Sequence, residues 1–205
     1  TLLWLGLCQT GLIQPLTWNK LGHTSRKSRK NKTMTQALNR TGRISFQGHL
    51  GAYSHLACSH MFPNMDVVAT ETFEPALNLV KSGDVDLGMI PIDNSTAGRV
   101  ADIHHLLPES GLFIIGEHYE PIIHHLLANE GATLKSIKTL YCHLHTVGQI
   151  REFVRENKLD VEVHADNAGA AEWVSKQDDL TVAAVASSLA GELYGLTTLN
   201  DNIND

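Results

Sequence analysis

The chain has 205 residues, 42% of them hydrophobic and 19% charged, with a formal net charge of −6. That is enough apolar material for one large domain or two small lobes with real cores, and it excludes collagen-like and disordered classes. The charge is uneven. Residues 1–33 hold Lys20, Arg26, Lys27, Arg29, Lys30 and Lys32 and no acid, so the remainder carries ten Lys and Arg against 22 Asp and Glu. An acidic body lacks the clustered cations that phosphate contacts require, so no nucleic-acid partner is expected. No apolar stretch approaches the ~18 uninterrupted residues of a membrane-spanning helix, so no membrane partner is expected either. Cys8, Cys58 and Cys142 share no metal or redox spacing, which suits reduced thiols and a cytoplasmic setting.

Residues 1–33 run apolar first and basic second, the reverse of a secretory signal. Residues 1–40 are therefore expected to form a disordered extension outside the core, with the working domain over 41–205. From Arg43 the pattern alternates. "RISFQ" reads as a strand, "HLACSHMF" as a helix and "DVVAT" as a second strand. "TFEPALNLVKSG" then reads as a helix, with Thr72 as its cap, Phe73, Ala76, Leu77 and Val80 on one face, and Gly83 as its stop. "VDLGMIPI" is a third strand, apolar on both faces, and β-α-β-α-β order with buried strands predicts a covered parallel sheet. "GLFIIGEHYEPIIHHLLA" offers two extended runs broken at Pro121, which read as crossovers. A second series follows. It comprises the strand "IKTLYCH", a helix through Leu144, Val147, Ile150 and Val154, the strand "DVEVHA", a helix over "AGAAEWVSK", the strand "TVAAVAS" and a short helix at "LAGELYG". The fold class is α/β, in two lobes with a ligand cleft between them. The first lobe is expected over about 43–117 plus 181–205, the second over about 118–180.

In open parallel sheets, ligands bind beyond the carboxyl ends of strands, near helix N-termini. Those ends deliver Gly51, Tyr53 and Ser54; Asp93-Asn94-Ser95-Thr96; His143-Leu144-His145; Asp166-Asn167; and Ser187-Ser188. Small hydroxyl, amide and imidazole groups suit a small polar anion, although the same residue types are also the ordinary helix caps. His143-x-His145, His104-His105 and His124-His125 come without a carboxylate or cysteine at ligand spacing, so no metal is expected. Gly48-x-x-Gly51 is too short for a phosphate loop, and no Gly-x-Ser-x-Gly elbow supports a serine nucleophile.

Six stretches occur in sequence that together resemble the prephenate dehydratase family. They are "FQGHLGAYSH", "GMIPIDNSTAGRVADIHHLLPESGLFIIGEHYEPI", "HLHTVGQIREFV", "ADNAGAAEWV", "AAVASSLAGELYGL" and "LNDNIND". The resemblance runs from about Arg43 to Asp205. It implies a two-lobed fold similar to type II periplasmic binding proteins, with prephenate as substrate, no cofactor, and a homodimer. It implies that Asn94, Ser95 and Thr96 form a catalytic wall. Substrate contacts are implied for Gly51, Ala52, Tyr53, Ser54 and Asp93, and in the second lobe for His143, His145, Asn167, Ala168 and Ser187. Family members usually have Glu where this chain has Asp93, and often His-Pro-Gln where it has His143-Leu144-His145. The family continues past "NDNIND" into a Thr-Arg-Phe segment that carries its main catalytic Thr, and then into a regulatory ACT domain. The chain is expected to stop short of both, and so to have little activity of its own. Arogenate dehydratase is the alternative within the family, and a non-catalytic small-anion binding module of the same fold is the alternative outside it.

Overall fold

The computed structural model describes residues 39–205 and the backbone of Leu2–Cys8. It divides into two compact units, Thr1–Gln47 with Ala57–Glu120, and Gly48–Leu56 with Pro121–Asp205.

The first unit contains β1 (Leu2–Cys8) and β2 (Gly42–Gln47), followed by α1 (Tyr53–Met61), inside which the division falls. Next come β3 (Met65–Thr70), α2 (Phe73–Ser82), β4 (Leu87–Asn94), β5 (Gly98–Arg99), α3 (Ala101–Ser110) and β6 (Phe113–Glu120). The sheet order is β3-β2-β4-β1-β6, with β5 paired to β4. β2 runs parallel to both β3 and β4, as the alternation predicts. Its Ile44 and Phe46 are fully buried, as are Leu87 and Ile90 of β4, because both strands are covered on two faces. Ala76 and Leu77 of α2 pack with Ile90 and with Ile103 of α3, fixing both helices on the sheet. Truncating one such aliphatic to Ala costs about 2–5 kcal/mol.

Two expectations are corrected in this unit. Residues 1–40 were expected to lie outside the core, yet β1 pairs antiparallel with both β4 and β6. "LLWLGLC" is an uncharged, apolar run of ordinary strand length, and the basic composition that argued against it belongs to residues 20–32. For residues 9–38 the expectation lies outside the described residues. The sheet is also mixed, since β1 and β6 are antiparallel to each other and β1 to β4.

The second unit contains β7 (His125–Ala128), β8 (Thr139–His143), α4 (Leu144–Val147), α5 (Arg151–Asn157) and β9 (Asp160–His164). It continues with α6 (Asn167–Ser175), β10 (Val182–Ala186), α7 (Ser188–Tyr194) and β11 (Thr197–Asn200). The order is β11-β7-β10-β8-β9. Residues 181–205 were expected in the first lobe. They belong here, because β10 is buried at all five positions and takes the central place beside β8. An apolar strand of that kind needs neighbours on both edges and cover on both faces. The helix expected through Leu144 and Val154 is two helices, parted at Gly148–Ile150. Ile150 at the break is fully buried in the cluster of Leu126, Leu140, Cys142 and Ala183.

Candidate active site

The polar residues at the end of β4 form a hairpin. β5 folds back so that Asp93 faces Arg99 and Asn94 faces Gly98. Gly98 supplies the left-handed φ of +83° that the turn needs. The Asn94 side-chain oxygen accepts from the Thr96 N–H at 2.8 Å and the Ala97 N–H at 3.0 Å. Asn94 was expected among the catalytic residues, and its carbonyl oxygen is spent on holding its own turn. Ser95 and Thr96 are exposed at the hairpin tip, and Asp93 is exposed on the strand beside Arg99. Four polar residues follow a buried strand because one builds the turn and the others are displayed by it.

The strand ends of the second unit are tied down instead. Gly51 has φ +86°, and a Cβ there would lie 2.9 Å from the Ala190 Cα. Only glycine fits where this loop passes against α7. Its N–H donates to His55 Nδ1 at 3.0 Å, and its carbonyl accepts from the Ser187 hydroxyl at 2.5 Å. Ser187 also caps α7 by accepting from the Ala190 N–H at 3.1 Å. The Asn167 side-chain oxygen accepts from the His143 N–H at 2.8 Å, and its amide donates to Thr146 Oγ1 at 2.9 Å. The expected contact residues Gly51 and Ser187 are thus brought together, as are His143 and Asn167. The His143 and His145 rings lie 5.0 Å apart. Burial lowers the His143 pKa below the ordinary imidazole value and the neighbouring His145 adds to this, with Asp166 opposing. The net effect favours the neutral ring of His143.

Asp166 caps α6, accepting from the Gly169 N–H at 2.7 Å, and its other oxygen meets His49 Nδ1 at 2.6 Å. The start of α6, where Asn167 and Ala168 were expected to meet substrate, already holds an anion of the chain's own, and Ala168 is buried. Ala52 is partly covered, its N–H closing a turn onto the His49 carbonyl at 3.0 Å. Ser54 is buried in the first turn of α1.

Sequence reasoning missed one polar group. His124, 1% exposed, was read only as half of a His-His pair. Its Nδ1 lies 2.7 Å from the Tyr53 hydroxyl and its Nε2 2.7 Å from the Gln149 side-chain oxygen. A histidine set between the apolar residues Ile122–Ile123 and Leu126–Leu127 was the available signal. Among the described residues, no three His, Cys, Asp or Glu side chains are placed to hold a metal ion, and no helix is long and apolar enough to cross a membrane.

A family model described as prephenate dehydratase matches residues 44–205. The chain belongs to the prephenate dehydratase family. It is 44% identical over 162 residues to a bifunctional N-acyl-homoserine lactone acylase/prephenate dehydratase of Komagataeibacter europaeus, covering 79% of this chain and 58% of that protein. It is 35% identical over 163 residues to arogenate dehydratase 2 of Petunia hybrida, covering 80% of this chain and 41% of that one. Among solved structures, the prephenate dehydratase of Arthrobacter aurescens in complex with L-Phe matches with a TM-score of 0.73 at 27% identity, over 80% of this chain and 56% of that one. The chain thus spans about half the length of the curated relatives it matches. The match includes the hairpin after β4, the Gly48–Ser54 loop and the strand ends of the second unit, so the candidate residues lie inside the family region.

Proposed function

We propose that the chain handles prephenate in its decarboxylating dehydration to phenylpyruvate. In that reaction the bond to the ring carboxylate breaks and carbon dioxide leaves. The electron pair moves through the ring and expels hydroxide, which takes a proton and departs as water. The ring becomes aromatic, and atoms and electrons balance without an oxidant or reductant. What a protein must add is a hold on two carboxylates and a proton or strong hydrogen bond at the departing hydroxyl. The exposed hydroxyls of Ser95 and Thr96 are assigned to the departing hydroxyl, a role worth about 10²–10⁴ in rate for general acid catalysis. The Gly51–Ser54 loop, with the neutral His143 and with His145, is assigned to the carboxylates. Asp93, Asn94, Asn167, Ala168 and Ser187 shape these loops. The observation that carries the reading is the family match over residues 44–205. A cytoplasmic homodimer belongs to the same reading. Buried free Cys58 and Cys142 agree with reducing surroundings, and light scattering tests the dimer.

The test is a titration of the full chain with prephenate and, in parallel, arogenate, followed by backbone amide resonances and by product formation. Saturable shifts at Gly51–Ser54 and Ser95–Thr96 are expected with prephenate, with phenylpyruvate as the product of a slow turnover. A preference for arogenate, with phenylalanine as product, would move the assignment to the amino substrate. No saturable shift with either would refute the reading.

A further inference from the structure

Two loops of the second unit that carry candidate substrate contacts are joined by one buried imidazole. Tyr53 opens α1 directly after the Gly48–Ala52 turn, and Gln149 lies directly after the His143–Gly148 turn. They come from strand ends far apart in sequence, and neither hydrogen-bonds the other. His124 stands between them, 2.7 Å from each. Its own backbone is anchored as well. The His124 N–H donates to the Asn204 side-chain oxygen at 2.7 Å, and its carbonyl accepts from the Ile203 N–H at 2.9 Å.

The proton count restricts this chain of groups. The Tyr53 hydroxyl has one proton and two acceptors in reach, Nδ1 at 2.7 Å and the Ile123 carbonyl at 2.8 Å. With the Gln149 oxygen facing Nε2, both contacts are satisfied when the ring proton is on Nε2 and Nδ1 accepts from Tyr53, whose single proton is then shared with the Ile123 carbonyl. Burial opposes a second proton and lowers the His124 pKa, only partly offset by the hydrogen bond to Gln149. In this tautomer the neutral ring bridges the two loops by donating at Nε2 and accepting at Nδ1.

We propose that His124 is a positioning residue that couples the Tyr53 loop to the Gln149 turn, so that the two sets of substrate contacts are held in one arrangement. The coupling deepens the prephenate reading and rests on it. Its cost when cut is in substrate affinity, because misplaced contacts lose binding even where the contacts themselves survive.

The experiment uses the full chain with 15N-labelled histidine. At neutral pH and without ligand, His124 should show one protonated and one bare ring nitrogen, with the proton on Nε2. Tyr53→Phe, which removes the donor to Nδ1, should change that tautomer balance. It should also displace amide resonances around Gln149, on the far side of the ring. Prephenate affinity should fall about tenfold in Tyr53→Phe and in His124→Asn, within the range of ordinary coupling between sites. His124→Gln, which keeps an amide near the Nε2 position, should retain the Gln149 turn and lose the Tyr53 loop. It serves as the second probe if His124→Asn does not fold. A doubly protonated ring, or amides near Gln149 that ignore Tyr53→Phe, would overturn the coupling whatever the substrate. Variants that bind prephenate as the parent does would reduce His124 to a packing role. A parent chain with the ring signature that binds no prephenate would sink the substrate reading and, with it, the role in positioning contacts.

Discussion

At the end of β4 the first unit turns its chain through an exposed hairpin in which the Asn94 side chain accepts from the N–H groups of Thr96 and Ala97. At the ends of β8, β9 and β10 the second unit fastens its loops with Ser187, Asn167 and Asp166, each bonded to backbone of the same unit. The same short polar residue types stand at both places. In the first they are displayed, and in the second they are consumed. Residue type at a strand end therefore does not say whether a side chain is offered to a ligand; its exposure and the backbone groups it holds do. The first unit should tolerate changes at its hairpin and fail at its sheet, whereas the second should be sensitive at its loops.

The largest expected effect breaks the first sheet. β4 and β6 share no pairing except through β1, in which Leu5 faces Ile90 on one side and Glu117 on the other. Leu5→Pro removes a ladder donor and disrupts pairing, at ~3 kcal/mol or more. Hydrogen exchange should accelerate over residues 87–94 and 113–120 while β8 and β10 keep their protection. A chain starting at Met34 should show the same loss. If such a chain melted with the parent, β1 would be dispensable and the composition argument against it restored.

Next in size is Gly51→Ala in the second unit. The positive φ and the 2.9 Å approach to Ala190 put the cost at about 2 kcal/mol or more. Thermal melts of the variant measure it, with prephenate binding falling in parallel. An unchanged midpoint would mean that the loop relaxes away from α7, and that the tight fastening claimed for this unit is absent.

The units should also part company on acidification. Glu120 of the first unit is 3% exposed, with His118 Nε2 at 2.8 Å and His60 Nδ1 at 3.0 Å. Burial alone would raise its pKa, but the hydrogen bonds and charges of His118 and His60 outweigh this and hold it below the ordinary carboxylate value. A depressed carboxylate stabilises above its unfolded pKa of about 4.3, and that stability is lost as pH falls through the lower folded value. His124 of the second unit is depressed as well, mainly by burial. Its contribution is complete above the unfolded value of about 6.5 and drains as pH falls toward the folded one. Acid titration followed by resonances of each unit should show the second loosening first. Glu120→Gln should flatten the low-pH step of the first unit alone.

Much of the alternation was legible. The apolar runs of β2, β4, β8 and β10 and the one-sided face of α2 declare themselves, since burial on two faces or one leaves a direct imprint on sequence. The assignment of β10 to a sheet was not legible, because a central strand looks the same in either. β1 was hidden by the basic residues that follow it. At the site, the loops were legible from their position after buried strands, and the family motifs covered them. The bonds of Asn94 and Asn167 to their surroundings were not, because a cap and a ligand contact call for the same side chains. Tyr53, His124 and Gln149 are far apart in the chain, and only the packing of the second unit brings them together.

The smallest expected change in stability falls at Ser95 and Thr96, and it discriminates best between display and consumption. Both side chains are exposed at the hairpin tip, and the turn is held by the Asn94 oxygen on backbone N–H groups, which Ser95→Ala and Thr96→Ala leave intact. Their cost in stability should stay within ~0.5 kcal/mol, as for ordinary surface substitutions. Asn94→Ala, which removes the acceptor for two N–H groups, should cost about 1 kcal/mol. If the hydroxyls meet the departing hydroxyl of prephenate, turnover or prephenate binding should drop in the two alanine variants while their melts overlay the parent. Kinetics and binding that match the parent in both would show that the hairpin displays its hydroxyls to solvent only. The donor for the leaving group would then have to be sought elsewhere in the protein.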